Sequence, residues 1–218
     1  MIPRIPAFSI KTFLFAWLAW LALLASGALA AKPAPVILVY GDSLSAEYGL
    51  ARGAGWAALL AERLQQSRLD YSVVNASISG ETSAGGATRI ADALKRSNPA
   101  VVIIELGGND GLRGLSLTAT RANLDAMMVA ATRAGARVVL CGMQLPPNYG
   151  RDYTERFRTM YQELAARHKV ALVPFFLAGI AEQRESFQAD GIHPVAAAQP
   201  RLLDNVWSVL ATLLKHGK

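Results

Sequence analysis

Ser43 is the first residue whose type and position could support chemistry. It follows Val36–Tyr40, an apolar stretch typical of a buried strand, and Gly41 and Asp42 break that pattern just before it. A glycine there tolerates the backbone angles of a sharp strand exit and keeps bulk away from the hydroxyl. Such a serine can be rigid and still open to solvent, as a nucleophile must be. Asp and Ser are also ordinary turn residues, so this stretch alone leaves both interpretations open.

Asp190 and His193 could supply the other groups that a serine nucleophile needs. Serine reacts poorly unless a base lies within hydrogen-bonding distance, and the base needs an orienting group on its second nitrogen. In Asp190-Gly-Ile-His193-Pro194 one short loop can carry both functions, and Pro194 suits the start of a helix. The Asp-x-x-His spacing is common, so it indicates a catalytic pair only in combination with Ser43.

Gly80 and Asn109 are candidates for stabilising a negatively charged oxygen. Each follows an apolar stretch, and the Gly80 N–H and the Asn109 side-chain amide could point at one spot beside Ser43. Preorganised donors aimed at the charge that develops in the transition state are what an oxyanion hole requires. Taken singly, both are also common turn residues. The neighbouring Asp42 and Asp110 are expected to hold loops through hydrogen bonds.

Alternating strands and helices must position these residues. The apolar stretches predict strands at Val36–Tyr40, Tyr71–Asn75, Val101–Leu106, Val138–Cys141 and Val170–Val173. Helical periodicity predicts helices near Trp56–Arg68, Ala87–Lys95, Ala119–Ala134, Thr154–His168 and Leu202–Leu214.

This alternation predicts a three-layer α/β/α sandwich around a five-stranded parallel sheet of flavodoxin-like order 2-1-3-4-5. In such sheets the reactive crevice lies beyond the carboxyl ends of the strands, where the strand order reverses. That point falls between the first and third strands. The loops that carry Ser43, Gly80 and Asn109 are therefore expected to be neighbours.

Four segments resemble, in order, the signature blocks of the SGNH, or GDSL, hydrolase family. They are Gly41-Asp-Ser-Leu-Ser45, Gly80, Gly107-Gly-Asn-Asp110 and Asp190-Gly-Ile-His-Pro194. The runs Val74–Gly80, Glu105–Gly114 and Leu145–Gly150 resemble, within that family, the periplasmic multifunctional thioesterase, arylesterase and lysophospholipase type.

The resemblance implies a serine hydrolase that acts on aryl esters, acyl thioesters and lysophospholipids. It implies that Ser43 is the nucleophile, His193 the base and Asp190 its partner. It also implies an oxyanion hole made of the Ser43 N–H, the Gly80 N–H and the Asn109 side chain, with no metal or organic cofactor. Family members vary at the position of Glu47, whose role therefore stays open.

Apolar residues in the predicted crevice loops favour an acyl chain over a sugar as the bound group. They are Leu44, Leu112, Leu145, Pro146, Pro147 and Ile192. Two alternatives remain: a carbohydrate O-deacetylase on the same fold, and a non-catalytic lipid-binding module. The first would prefer acetate esters, and the second would not react with a serine-directed probe.

Residues 1–30 have the pattern of a secretory signal. Arg4 and Lys11 form a basic start, Thr12–Ala25 is uncharged and apolar, and Ala28-Leu-Ala30 offers a cleavage site. We expect cleavage near Ala30, a periplasmic or secreted protein, and a hydrolase domain spanning 31–218. An uncleaved anchor is the alternative, because the uncharged stretch before Lys32 is about long enough to span a bilayer.

Charge and cysteine content limit the partners. The formal charge of +6 is scattered without a Lys/Arg block, which gives nucleic-acid binding little support and leaves transient contact with membrane lipids open. Cys141 is the single cysteine, so the chain has no internal disulfide. The three histidines lie far apart in the sequence, which argues against a zinc site. We expect a monomer that acts on a small-molecule ester or thioester.

Overall fold

A five-stranded parallel sheet organises the fold, as the sequence predicts. The computed structural model describes residues 33–214, so the predicted signal segment 1–30 lies outside the described residues. The strand order is β2-β1-β3-β4-β5, which confirms the flavodoxin-like order. The strands are β1 Val36–Gly41, β2 Ser72–Asn75, β3 Val101–Glu105, β4 Arg137–Cys141 and β5 Ala171–Val173.

Helices cover both faces of the sheet. They are α1 Trp56–Gln66, α2 Ser83–Ser97, α3 Gly108–Leu112, α4 Leu117–Arg133, α5 Arg151–His168 and α6 Gln199–Leu210. Helix α1 packs against α6, whereas α4 packs between α2 and α5. Within the described range 33–214, no helix is long and apolar enough to cross a membrane.

The unbroken apolar runs in the sequence correspond to strands buried on both faces. Residues 37–40 of β1 and 101–104 of β3 are fully inaccessible to solvent, because helices cover them from both sides. Strand β2 lies at the edge of the sheet, and most of its residues are exposed. The core therefore centres on β1 and β3, whose carboxyl ends carry the predicted site.

Four helices begin earlier than predicted, among them α4, at Leu117 rather than Ala119, and α5, at Arg151 rather than Thr154. Helix α2 begins at Ser83, not Ala87, because the Thr82 side chain accepts the Gly85 N–H and caps the helix there. Gly86 lies within the first turns of this helix. A Cβ on Gly86 would come within 2.5 Å of Leu106, so the glycine serves close packing although it lowers helix propensity. The last helix begins at Gln199 rather than Leu202 and ends at Leu210, followed by a 3₁₀ turn.

The short helix α3 was not predicted, and it carries Asn109 in its first turn. Gly107 precedes it with φ of 103°, a left-handed conformation that favours glycine. A Cβ there would collide with the hydroxyl of Tyr161, which donates a hydrogen bond to the carbonyl of Leu106. Backbone conformation and packing thus both require glycine at the end of β3.

Candidate active site

Ser43, His193 and Asp190 form a continuous chain of hydrogen bonds. The Oγ of Ser43 lies 2.8 Å from Nε2 of His193, and Nδ1 of His193 lies 2.7 Å from Oδ2 of Asp190. An ionised carboxylate can only accept, so Nδ1 carries the proton and Nε2 is left to accept from the serine hydroxyl. This is the protonation pattern that a serine–histidine–aspartate mechanism needs.

The Asp190 carboxylate is held in its ionised form. Besides the contact with Nδ1 of His193, its Oδ1 accepts the backbone N–H groups of Ile192 at 2.9 Å and His193 at 3.0 Å. Hydrogen bonding from the His193 side chain, and then from these two amides, lowers the pKa of Asp190 to about 2. The group is therefore charged at neutral pH and fixes the orientation of the imidazole.

Residues that no sequence motif indicated hold the loop around Asp190. Arg184 donates to the carbonyl oxygens of Phe187, Gln188 and Ala189 at 2.8–3.1 Å. The Gln188 amide donates to the carbonyl of Tyr48, which ties this loop to the one that carries Ser43.

Tyr48 also contacts the candidate base directly. Its ring centroid lies 4.3 Å from that of His193 with the planes tilted by 37°, and half of the tyrosine is exposed. The ring therefore covers one face of the imidazole. No spacing rule in the sequence singles out this residue.

Asp42 organises the turn that presents Ser43. Its Oδ1 accepts the Leu44 N–H at 3.0 Å and its Oδ2 accepts the Asn109 amide at 3.1 Å, while its backbone carbonyl accepts from Ala46 at 2.9 Å. The residue is only 2% exposed, and this burial raises its pKa to about 6. Asp42 thus holds the loop through hydrogen bonds.

Asp110 has a similar role at the next loop. Its carboxylate accepts the backbone N–H and the hydroxyl of Ser83 at 2.8 and 2.5 Å, and the hydroxyl of Thr120 at 3.2 Å. These contacts join α3 to the starts of α2 and α4. Asn109 is therefore attached to a rigid frame.

The three candidate oxyanion donors differ in whether they already have a hydrogen-bond acceptor. Among residues 33–214, no acceptor lies within hydrogen-bonding distance of the Ser43 or Gly80 backbone N–H. Gly80 has φ of 78°. The Asn109 amide nitrogen instead donates to Oδ2 of Asp42 and to the carbonyl of Glu81 at 3.0 Å. If Asn109 is to bind an oxyanion, one of these two hydrogen bonds has to be shared with the oxyanion or broken.

A cavity of about 450 Å³ opens beside Ser43 and His193. The six apolar residues proposed from the sequence all line it: Leu44, Leu112, Leu145, Pro146, Pro147 and Ile192. It is also lined by residues that the sequence did not indicate, including Met143, Phe175, Leu177 and Phe187. These come from loops after β4 and β5, whose place in the site only the folded chain shows.

Glu47 does not line this cavity. Its carboxylate accepts the backbone N–H groups of Gly53 at 3.0 Å and Gly55 at 2.9 Å, and its own backbone has φ of 60°. It therefore organises the loop between Ser43 and α1. In the part of the chain that the structure describes, no cluster of His, Cys, Asp and Glu is arranged to hold a metal ion.

The chain is similar to several known proteins. Residues 39–199 match the GDSL-like Lipase/Acylhydrolase family. Esterase TesA of Pseudomonas aeruginosa is 53% identical over 88% of this chain and 99% of its own. The thioesterase 1/protease 1/lysophospholipase L1 of Escherichia coli is 42% identical over 85% of this chain and 88% of its own. A crystal structure of TesA superposes with a TM-score of 0.81 at 55% identity, covering 82% of this chain and 99% of the other.

Proposed function

Because the chain belongs to the GDSL-like lipase and acylhydrolase family, we propose that it hydrolyses acyl esters and thioesters through an acyl-enzyme on Ser43. The observation that carries the proposal is the hydrogen-bonded series of Ser43, His193 and Asp190. A purely lipid-binding protein has no need of a base hydrogen-bonded to an accessible serine. The series therefore favours an enzyme over a binding module.

Acylation follows from the positions of the protons. Nε2 of His193 accepts the Ser43 proton while Oγ attacks the substrate carbonyl carbon, and Asp190 stabilises the imidazolium that forms. The tetrahedral intermediate collapses when His193 returns the proton to the leaving alcohol or thiol. Water then attacks the acyl-enzyme with His193 as base, and the acid is released from a regenerated Ser43.

The developing oxyanion would bind to the Ser43 and Gly80 N–H groups and to the Asn109 amide. The two backbone donors have no competing acceptor among the described residues, so they are available without rearrangement. Asn109 would share its hydrogen with the oxyanion while Asp42 and Glu81 keep the amide aligned. Such preorganised donors typically account for a large part of catalysis in acyl transfer.

The cavity suggests the substrate class. Its lining is mainly apolar and it begins at the nucleophile, which suits an acyl chain longer than acetate. The relatives bear the names esterase, thioesterase and lysophospholipase, so we propose acyl esters, thioesters and lysophospholipids as substrates. We further propose that the protein acts as a monomer after export, with residues 1–30 as its signal.

Active-site labelling tests the nucleophile. We expect a fluorophosphonate probe to label the unaltered protein at Ser43 and to leave Ser43→Ala unlabelled, with ester hydrolysis close to background in that variant. Ser208→Ala, an exposed serine of α6, is the matched control and should label normally. Full ester hydrolysis by purified Ser43→Ala would refute the assignment.

Acyl-chain preference tests the substrate class. We expect p-nitrophenyl octanoate to give a higher kcat/KM than p-nitrophenyl acetate, because the longer chain buries more apolar surface in the cavity. A preference for acetate alone would support the carbohydrate O-deacetylase instead.

A further inference from the structure

Glu105 is a buried acid next to the proposed nucleophile, and the mechanism above does not use it. It ends β3, is registered with Gly41 of β1, and is fully inaccessible to solvent. Its Oε2 accepts the hydroxyl of Ser45 at 2.7 Å and the backbone N–H of Asp42 at 3.4 Å. Both donors belong to the turn around Ser43, one on each side of the serine.

Gly41 has no side chain where the Glu105 carboxyl lies. A Cβ at this position would come within 2.6 Å of Oε2 of Glu105 and 2.8 Å of the Ser45 hydroxyl. Such contacts are far shorter than van der Waals distance, so any larger residue would displace the carboxyl. The glycine of the Gly-Asp-Ser motif thus makes room for Glu105.

We propose that Glu105 is a positioning residue that, as a neutral carboxylic acid, clamps the turn carrying Ser43. The inference rests on the proposed function, since it concerns how the nucleophile is held. Ser45 extends the clamp, because its hydroxyl also accepts the indole N–H of Trp56 at 3.2 Å. The first turn of α1 is thereby connected through Ser45 to the end of β3.

The surroundings explain why the clamp is neutral. The titratable groups that face Glu105 are Asp42 on the nucleophile turn, Cys141 on β4 and Tyr161 on α5. No cation pairs with it among the described residues, and its Oε1 has no hydrogen-bond partner there. A buried carboxylate without a counter-charge is costly, and burial raises the pKa of Glu105 well above its ordinary value.

The proton of this acid pair belongs on Glu105 rather than Asp42. Two neighbouring carboxylates cannot both ionise cheaply in a buried site. Asp42 receives hydrogen bonds on both oxygens, from Leu44 and Asn109, which favour its ionised form. Glu105 receives them on Oε2 alone, so its ionised form is less favoured than that of Asp42.

The test compares Glu105→Ala with Glu105→Gln, a neutral isostere whose amide oxygen can accept the same two hydrogen bonds. The readouts are the rate constant of fluorophosphonate labelling, kcat and KM for p-nitrophenyl octanoate, and the melting temperature. We expect Glu105→Ala to lower labelling and kcat by about tenfold to a hundredfold, with KM little changed, since small misplacements of a nucleophile are that costly. Glu105→Gln should recover most of this loss.

Asn205→Ala controls for general destabilisation. It removes hydrogen bonds to the carbonyls of Phe176 and Ala178, neither of which lines the cavity at Ser43, and should lower the melting temperature without lowering the labelling rate. If Glu105→Ala does not fold, Ser45→Ala and Gly41→Ala disturb the same clamp and should slow labelling.

The outcomes separate this inference from the proposed function. Labelling as fast in Glu105→Ala as in the unaltered protein, or a Glu105→Gln variant as impaired as Glu105→Ala, would overturn the neutral clamp. In both cases the unaltered protein would still be labelled at Ser43. Failure of the unaltered protein to label would instead overturn the proposed function, and the inference with it.

Discussion

At the scale of single residues, the Asp190 carboxylate decides which nitrogen of His193 carries a proton. An asparagine at 190 would place its oxygen on the amides of Ile192 and His193, because only an oxygen can accept them. Its NH₂ group would then face Nδ1 of His193 and favour the tautomer protonated on Nε2. That tautomer cannot accept the proton of Ser43. We expect Asp190→Asn to lower kcat by about 10³–10⁴-fold with KM little changed, measured by steady-state ester hydrolysis.

Asp152→Asn is the matched control for this prediction. Asp152 is an exposed aspartate in the first turn of α5 that pairs with Arg156, and its replacement should leave kcat unchanged. If Asp190→Asn kept the kcat of the unaltered protein, the tautomer of His193 would not depend on Asp190.

Asp42 makes the stability of the fold depend on pH. Burial raises its pKa to about 6, above the ordinary value of 3.8, so the folded protein binds this proton more tightly than the unfolded chain. The contribution of Asp42 to stability is therefore fully present below about pH 4 and is lost as pH rises to about 6. The difference in pKa corresponds to roughly 3 kcal/mol.

Urea denaturation of the unaltered protein and Asp42→Asn at pH 4 and pH 7 measures this contribution. Titrating groups remote from Asp42 affect both proteins alike, and the neutral Glu105 proposed above is protonated at both pH values. The change in unfolding free energy between the two pH values should therefore differ by an amount of this order. The unaltered protein should lose more stability, or gain less, on going to pH 7. Equal changes in the two proteins would show that Asp42 ionises as freely as an exposed carboxylate.

At the scale of elements, the loop from Arg184 to Pro194 acts as a rigid holder for Asp190 and His193. Arg184 spans its carbonyl oxygens, and the Gln188 N–H donates to the His193 carbonyl at 2.8 Å. We expect Arg184→Ala to lower kcat by about tenfold or more with a smaller change in KM, because a loosened loop misplaces the base. Arg184→Lys, which cannot reach three carbonyls in one plane, should fall between.

Arg133→Ala, an exposed arginine at the end of α4, is the control for lost charge. Its kinetics should match those of the unaltered protein. A similar fall of kcat in Arg184→Ala and Arg133→Ala would show that the loss of a positive charge, not of the loop contacts, lowers activity. An unchanged kcat in Arg184→Ala would show that the loop holds its shape without the arginine.

Strands and helices could be predicted from the sequence where burial leaves a clear apolar pattern. Strands β1 and β3 are apolar because helices cover both of their faces. Their positions, and from the alternation of elements the strand order, could therefore be predicted. The start of α2 could not be predicted, since Gly86 opposes helix formation locally and is explained only by its contact with Leu106 and Met127.

The candidate site was predictable in the same limited sense. Ser43, His193 and Asp190 stand out because the chemistry requires those residue types. Arg184 and Gln188 act through backbone carbonyls, which many polar side chains can contact, so no residue pattern reveals them. In the sequence, Glu105 is only the last residue of an apolar strand. Its contact with Ser45 depends on the register of β1 and β3, which the sequence does not reveal.

At the scale of the whole molecule, the parallel sheet brings together residues that are 150 positions apart, Ser43 and His193. The docking of α6 on α1 helps to hold the final segment at the site. Gln199, 1% exposed at the start of α6, accepts the Trp56 backbone N–H at 3.0 Å and donates to the Pro194 carbonyl at 3.4 Å. The first N–H groups of a helix have no partner within it, so Gln199 supplies one for α1.

Gln199→Leu tests this docking, because leucine is of similar size and leaves the buried Trp56 N–H without an acceptor. An unsatisfied buried donor costs about 1–3 kcal/mol, which for a domain of this size lowers the melting temperature by roughly 2–12 °C. The temperature at which fluorophosphonate labelling of Ser43 is lost should fall by the same amount, since the docked segment carries His193. Gln162→Leu, an exposed glutamine of α5, is the control and should change neither temperature. A melting temperature equal to that of the unaltered protein would mean that α6 is held on α1 without this hydrogen bond, by its apolar face alone.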